Sequence, residues 1–224
     1  MNRIPFSVYD VFGYLASGFF LLVAVDYAFG GGSLLRQDLR PALSFFWIVV
    51  AYVSGHIVAN ISGFLIEKRL VRDVFGSPEE VLLAEKNARG WRQAFPGFFE
   101  PLPRETRERV LHRAKEKAGI VTPGRSLFLH CHAIVKRDQA TLERLNTFLN
   151  LYGFCRNLSM ASTMALLVLV GSVISDLLSH VPIGHGKLWW ASAAVVAAIG
   201  MFYRYLKFFR HYTVEVFTTY AEFD

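Results

Sequence analysis

Residues 42–66 read ALSFFWIVVAYVSGHIVANISGFLI, a run of 25 residues without a formally charged side chain. A helix of about 20 apolar residues is long enough to cross the hydrocarbon core of a membrane, which is roughly 30 Å thick. Glu67, Lys68 and Arg69 follow at once and end the apolar run. The stretch therefore predicts a membrane-spanning helix.

Three further apolar runs lie on either side of it, at residues 11–29, 158–178 and 188–203. The last holds only 16 residues, which is short for a span unless Lys187 and Arg204 extend outward to the membrane surface. Four runs of this kind predict an all-α integral membrane protein with four transmembrane helices.

The composition fits a chain embedded in lipid, because 53% of the 224 residues are hydrophobic and only 19% are charged. Soluble domains carry about 25% charged residues, so a soluble enzyme is a poor fit. Two cysteines, Cys131 and Cys155, are too few for a disulfide framework. A cleaved signal peptide is the alternative for residues 11–29, but acidic Asp10 lies beside the run and no A-x-A-like cleavage site follows it.

The distribution of Lys and Arg predicts the orientation. The two short connections, residues 30–41 and 179–187, hold only three of the 24 basic residues. Cytoplasmic flanks of membrane spans carry the excess of Lys and Arg, so both termini and the 67–157 segment are expected to be cytoplasmic. The expected division is residues 1–66 for transmembrane helices 1 and 2, 67–156 for a basic helical cytoplasmic domain, 157–203 for transmembrane helices 3 and 4, and 204–224 for a cytoplasmic C-terminal helix.

Helix signals recur through the inserted segment. Ser77, Pro78 and Glu80 form a capping-box pattern that predicts a helix running to about Arg92. A second helix, rich in Arg, Lys and Glu, is predicted over residues 104–118, with a stop at Gly119.

The cytoplasmic segment is strongly basic, with 17 basic and 11 acidic residues between positions 67 and 156. This balance favours an anionic partner, and aromatic residues nearby offer surfaces on which bases stack. Lipid headgroups, plain solvation of a charged helix and a cytosolic protein partner are the alternatives to a nucleotide or oligonucleotide ligand. The candidate ligand-binding residues are Arg104, Arg107, Arg109, Arg113, Lys115, Lys117, Trp91 and Arg92.

A polar stripe crosses the second span. His56, Asn60 and Gly63 follow one another at helical spacing, and Glu67 continues the stripe. Polar groups are costly in hydrocarbon, so such a stripe faces either another helix or water. The two interpretations are helix–helix packing and a water-filled lumen.

Two carboxylates, Asp26 and Asp176, fall near the outer ends of the first and third spans. A ring of such residues attracts cations at the mouth of a pore, whereas single carboxylates at an interface are ordinary. We take them with His56, Asn60 and Gly63 as the candidate pore residues.

A long helix is predicted from Gln139 into the third span, because no proline interrupts the chain before Pro182. Along its start, Leu142, Leu145 and Leu149 are spaced as in a coiled-coil seam, and the residues after position 202 show a similar pattern. The two seams pack either against each other in a monomeric bundle or between the subunits of an oligomer.

Enzymatic readings are weak. An Arg followed by a His after four to six intervening residues is a HEPN-type ribonuclease pattern, yet four pairs fit it, so its specificity is low: Arg107/His112, Arg125/His130, Arg125/His132 and Arg204/His211. His130, Cys131 and His132 alone do not complete a tetrahedral metal site. We therefore predict no catalytic residue, no metal and no cofactor.

The opening residues 9–15, YDVFGYL, run directly into the first span, and a basic insert separates two pairs of spans. This architecture resembles small multi-pass bacterial phage-defence effectors, such as the Kiwa and Hailong membrane components. The resemblance implies a symmetric oligomer in the bacterial inner membrane that a partner or a nucleotide-derived ligand controls.

The expected function is an oligomeric inner-membrane effector or channel, gated through the basic domain by an anionic ligand or a protein partner, in antiviral defence. One alternative is a non-conducting membrane scaffold that recruits a cytosolic partner. The other is a membrane-anchored HEPN-like ribonuclease.

Overall fold

The computed structural model of the chain describes residues 8–29, 34, 41–84, 90–120, 122–182 and 184–222. Regular structure in these ranges is entirely helical, as the sequence predicts. In chain order the elements are α1 Val8–Phe29, α2 Pro41–Ser62, a π-helix Gly63–Phe75, α3 Pro78–Leu82, a 3₁₀-helix Gly90–Ala94, α4 Pro96–Phe99, α5 Arg104–Ala118, α6 Arg125–Val135, α7 Gln139–Leu178 and α8 His185–Glu222.

Three helical stretches are long and apolar enough to cross a membrane, namely Leu43–Leu82, Gln139–Leu178 and His185–Glu222. The apolar part of α1, Gly13–Phe29, is shorter. The protein is therefore a candidate membrane protein, and the fourth span stays a prediction. The continuous helix predicted from Gln139 into the third span is confirmed.

The chain divides into two compact units. The first unit comprises Met1–Glu67 and Gly153–Arg204, and the second comprises Lys68–Tyr152 and Tyr205–Asp224. Each unit thus combines segments that are distant in sequence, and α7 and α8 contribute residues to both.

Two glycines allow the backbones of α1 and α2 to pack closely in the first unit. A Cβ atom built on Gly18 would overlap the carbonyl oxygen of Ala51, and one built on Gly55 would overlap that of Tyr14. Small residues let the backbones of membrane helices come this close. Ser17, next to Gly18, is buried, and its hydroxyl donates a hydrogen bond to the carbonyl of Gly13 at 2.9 Å.

The helix that begins at Pro41 does not end where the charged residues begin. From Gly63 to Phe75 it continues as a π-helix, whose turns are wider because its hydrogen bonds join residues five apart. The polar stripe was extended from Gly63 to Glu67 on α-helical spacing, and that spacing does not hold in this segment.

The predicted helix from Ser77 to Arg92 is wrong, because α3 ends at Leu82. The Ser77 side chain makes no capping hydrogen bond, although its carbonyl accepts from Val81 N–H at 3.0 Å. The carbonyl of Leu82, which would accept from residue 86 in a longer helix, accepts from Leu102 N–H at 2.9 Å. This contact replaces the next helical turn.

The core of the second unit is built from α5, α6, the start of α7 and the end of α8. Its fully buried side chains include Val110, Leu127, Leu145 and Phe217. The ring of Tyr152 lies 5.2 Å from that of Phe209 on α8. The two apolar seams therefore pack against one another within one chain, as the bundle interpretation expects.

Cys131 lies in this core with no exposed surface. Burial raises the pKa of its thiol to about 12, so the reactive thiolate is scarce at neutral pH. We expect iodoacetamide at pH 8 to leave Cys131 unmodified in the folded protein and to alkylate it fully after denaturation. Peptide mass spectrometry measures both states, and rapid labelling of the folded protein would contradict this packing.

Candidate functional site

One face of α2 is exposed and carries the predicted polar residues. Val49, Val53, His56 and Asn60 are spaced four, three and four residues apart, and all four are exposed in the single chain. We call these four residues the α2 seam. Their spacing is that of a helix face that packs against another helix. A histidine and an asparagine thus stand on the outer surface of an apolar helix.

The ring of His56 is held by two aromatic neighbours. It stacks on Tyr14 of α1 with ring centroids 4.0 Å apart, and it meets the edge of Tyr52 at 4.6 Å. These contacts fix the plane of the imidazole. They use its face, so one edge of the ring remains at the surface of the helix pair.

Gly63 lies below the seam, and a Cβ there would lie 3.9 Å from Arg156 Nη1. Arg156 donates a hydrogen bond to the carboxylate of Glu67. The Oδ1 of Asn157 accepts from Arg156 and also from Ser62 Oγ, the latter at 2.8 Å. A polar network therefore ties α7 to the end of α2 within the first unit.

The two predicted mouth carboxylates have partners inside the chain. Asp26 accepts a hydrogen bond from the backbone N–H of Leu34 at 2.8 Å. Asp176 pairs with Lys187 at 2.6 Å, and Lys187 also donates to Ser172 at 2.7 Å. Lys187 was expected to extend outward, but it is largely buried because it neutralises Asp176. The carboxylate of Asp176 is therefore less available to a passing cation.

The predicted helix over residues 104–118 is confirmed, including its stop at Gly119 in the left-handed conformation (φ 66°). Two of its basic side chains make contacts within the chain. Arg104 pairs with Glu108 at 2.6 Å, which lowers the pKa of that carboxyl, and Arg107 donates to the carbonyl of Ala84 at 2.6 Å. Because of these contacts, Arg104 and Arg107 are less available to a ligand than the other predicted ligand-binding residues.

The other predicted cations divide between a groove and the open surface. Arg109, Arg113 and Lys117 line a groove of about 900 Å³ along α5, whereas Lys115 is exposed and does not line it. Arg92 places its guanidinium 5.3 Å from the ring centroid of Phe99. The backbone of Trp91 belongs to the 3₁₀-helix, and its side chain lies outside the described part of the structure.

The groove carries charges of both signs. Its acidic residues are Glu105, Glu108 and Glu116, of which Glu108 pairs with Arg104, and Glu116 lies 3.4 Å from the Nδ1 of His112. In the described part of the chain, Arg109, Arg113 and Lys117 have no carboxylate within 4.0 Å. The groove therefore holds three basic and three acidic side chains, so its formal charges balance.

Side chains from three helices, each with a buried polar atom, pack together at Arg113. Arg113 Nε of α5, His130 Nε2 of α6 and the Tyr220 hydroxyl of α8 have no hydrogen-bond partner among the described residues. The Arg113 guanidinium carbon lies 5.5 Å from the ring centroid of Tyr220, and the His130 ring centroid lies 5.8 Å from it. Neither His130 nor Tyr220 was predicted from the sequence to bind a ligand, because the two residues lie far apart along the chain.

No group of three metal-ligating residues occurs among the described residues. Within the ribonuclease-type pairs, Arg107 bonds a backbone carbonyl, Arg125 is exposed, and the ring of His211 stacks on Phe148 at 5.9 Å. These contacts point to structural roles for the residues concerned.

The structure thus offers a polar seam on an apolar helix and a groove of mixed charge along α5. The chain matches no protein-family model, no curated protein and no solved structure, so the geometry of its own residues has to point to its function.

Proposed function

We propose that the chain is a four-span bacterial inner-membrane protein that self-associates through the α2 seam. The observation that carries the proposal is the exposure of His56 and Asn60 on a helix whose other exposed residues are apolar. Facing lipid, both side chains would have unmet hydrogen bonds at considerable cost. A second copy of the seam, or water held between copies, satisfies them.

A symmetric oligomer places one His56 and one Asn60 from every subunit around a common axis. The two valines of the seam give apolar contact there, and the two polar residues supply either hydrogen bonds between subunits or a water-filled path. We therefore propose a gated ion-conducting or membrane-perturbing effector. Its use in antiviral defence follows only from the architectural resemblance described above.

Control is proposed to come from the second unit, which faces the cytoplasm together with both termini. The segment from position 67 to 156 carries 17 basic and 11 acidic residues, which favours an anionic ligand, and α7 is one helix whose residues belong to both units. A ligand that favours one packing of α7 in the second unit biases the same helix in the first.

The test combines native mass spectrometry with ion flux into liposomes. The wild-type protein is expected to give a homo-oligomer and a measurable flux. Replacing both His56 and Asn60 with leucine keeps the helix apolar but removes the polar groups, so flux should fall at least tenfold. An unchanged flux in the double variant would contradict the proposal.

Thr163→Val is the matched control. Thr163 is also polar and exposed on a membrane helix, but its hydroxyl already donates to the carbonyl of Ser159 at 2.9 Å. Its removal is expected to leave both the oligomer and the flux unchanged.

The second candidate is a membrane scaffold that recruits a cytosolic protein, and the mixed charge of the α5 groove favours it. Surfaces with interspersed charges of both signs suit protein partners through complementary ion pairs. In that case the leucine variants change the oligomeric mass, while no flux is seen in any variant.

A further inference from the structure

An apolar cavity of about 430 Å³ lies between α1, α7 and α8 in the first unit. Its floor is formed by four buried residues, Ala24, Ala165, Leu169 and Ala194. Protein interiors are usually packed as tightly as organic crystals, and voids larger than a water molecule are few. The alanine side chains are too short to fill the space, so a cavity of this size needs a physical explanation.

The cavity is open on the side away from its floor. Phe19 and Trp190 line it and are 48% and 41% exposed, whereas the floor residues are buried. Around a helix that crosses a membrane, the medium at this level is hydrocarbon rather than water. An apolar molecule from the membrane can therefore enter past the two exposed rings.

Contacts at one end of the cavity hold the three helices together. Ser172 of α7 donates a hydrogen bond to the carbonyl of Ala28 on α1 at 3.1 Å. The Tyr27 hydroxyl lies so close to the backbone of α8 that a Cβ built on Gly186 would overlap it. Tyr27 and Trp190 line the cavity here, with ring centroids 6.1 Å apart. The helices thus meet beside the cavity, and the space is not a gap between helices that fail to pack.

The cavity is elongated along the helices. Its lining extends from Ala16 to Tyr27 on α1 and from Leu158 to Leu169 on α7. A rise of 1.5 Å per residue gives each segment a length of roughly 16 Å. Each leaflet supplies about half of a hydrocarbon core that is roughly 30 Å thick, so the cavity is as long as one leaflet is deep.

The two ends of the cavity differ in polarity. Tyr27 and Trp190 are at one end, and the lining residues of α1 and α7 toward the other end, such as Ala16 and Leu158, are apolar. Tyrosine and tryptophan are enriched where a membrane meets water, because each has an apolar ring and one polar atom. This arrangement matches a molecule with an apolar chain and one polar end.

We propose that the cavity binds one acyl chain of a membrane phospholipid, whose headgroup lies at the end marked by Tyr27 and Trp190. The chain fills the space that the alanines leave and restores the dispersion contacts that an empty apolar cavity lacks. The volume lies within the range of about 300–1,000 Å³ that is usual for ligand pockets. The inference rests on the membrane placement in the proposed function, but the α2 seam contributes no residue to this site.

The test is photocrosslinking in phosphatidylcholine liposomes that contain a small fraction of phosphatidylcholine with a diazirine in one acyl chain. Light releases nitrogen from the diazirine, and the resulting carbene inserts into a bond of the nearest side chain. Peptide mass spectrometry then locates the attached lipid. We expect attachment at the buried floor residue Leu169 as well as at Val196, which is 72% exposed on α8.

Ala194→Leu narrows the cavity at its floor. Attachment at Leu169 should then fall at least fivefold, while attachment at Val196 stays unchanged. Ala193→Leu is the matched control, because it is the same change at the neighbouring exposed residue, which does not line the cavity. It should leave attachment at both positions as in the wild type.

Melting in detergent provides a second measurement. A ligand that binds only the native state stabilises it, so added phosphatidylcholine should raise the melting temperature of the wild type and of Ala193→Leu. The rise should be clearly smaller for Ala194→Leu. If Ala194→Leu does not fold, attachment to the floor of the wild type still decides the question.

The proposal is overturned if lipid attaches to Val196 but not to the floor of the wild type, because the chain then stays outside or a second copy fills the cavity. Equal attachment at Leu169 in the wild type and a folded Ala194→Leu variant overturns it as well. Extraction of the same liposomes with alkaline carbonate separates the two proposals. Release of the protein contradicts the membrane placement and the lipid site together, whereas a retained protein without attachment at the floor contradicts the lipid site alone.

Discussion

Replacing Gly55 with alanine is expected to lower the free energy of unfolding by about 3 kcal/mol, the upper end for overpacking of a core. The added Cβ would overlap the carbonyl oxygen of Tyr14, and Gly18→Ala would overlap that of Ala51 in the same way. Backbone atoms cannot move aside as a flexible side chain can. The helix pair must therefore separate, and it loses contact along its length. Unfolding by SDS in mixed micelles measures the change.

Gly171→Ala supplies the control, because it is also a helical glycine in a predicted span but a Cβ there meets nothing within 4 Å. We expect that variant to be as stable as the wild type or slightly more so, since alanine favours helix over glycine. Equal stability of the Gly55, Gly18 and Gly171 variants would show that α1 and α2 do not pack as described.

The ion pair between Arg156 and Glu67 is the second contact whose loss should be severe. Their side chains are only 17% and 18% exposed, and within the described ranges Arg156 has just the neutral Asn157 oxygen as a further acceptor. Glu67→Gln leaves a largely buried cation without its countercharge, and we expect a loss of roughly 3 kcal/mol. Removing both charges in Glu67→Gln/Arg156→Gln should cost less than the sum of the single changes. A double-mutant cycle on thermal or SDS unfolding measures this coupling.

A pair in the same π-helix provides the comparison. Arg69 and Asp73 lie 3.9 Å apart with side chains 64% and 53% exposed. Asp73→Asn should therefore change the stability by less than about 0.5 kcal/mol, as is usual for surface pairs. If Glu67→Gln lowers the free energy of unfolding no more than Asp73→Asn does, burial does not strengthen the ion pair between Arg156 and Glu67.

Elements with strong local signals were predictable from the sequence. The helix Arg104–Ala118 ends at a glycine that adopts a left-handed conformation, and the absence of proline allows α7 to run unbroken from Gln139 to Leu178. Both features depend on neighbouring residues alone. The close approach at Gly55 agrees with the general rule that small residues let membrane helices pack tightly.

Features that depend on tertiary contacts were not predictable. The capping pattern at Ser77 suggests a long helix, but burial of Leu82 and Leu83 and the hydrogen bond from Leu102 end it after five residues. Likewise, Lys187 has the flanking position of an outward-facing lysine, yet it turns inward because it pairs with Asp176 in the last turn of α7. Local propensity is overridden here by a partner that is distant along the chain.

The candidate site shows the same limit. His56 and Asn60 were visible as a polar stripe, since both lie on one apolar helix. By contrast, Arg113, His130 and Tyr220 belong to three helices and are separated by 17 and 90 residues along the chain. No periodic pattern joins such positions. The sequence could indicate a basic helix, but only the packing of α5, α6 and α8 shows which of its cations meets buried donors.

Self-association through the α2 seam is the central claim, and disulfide crosslinking in native membranes tests it most directly. Val53 lies between Val49 and His56 and is 53% exposed, whereas Val196 on α8 is 72% exposed and lies off the seam. With an oxidant, Val53→Cys is expected to form a covalent homodimer and Val196→Cys is not. Equal crosslinking at both positions, or none at Val53, would contradict the account.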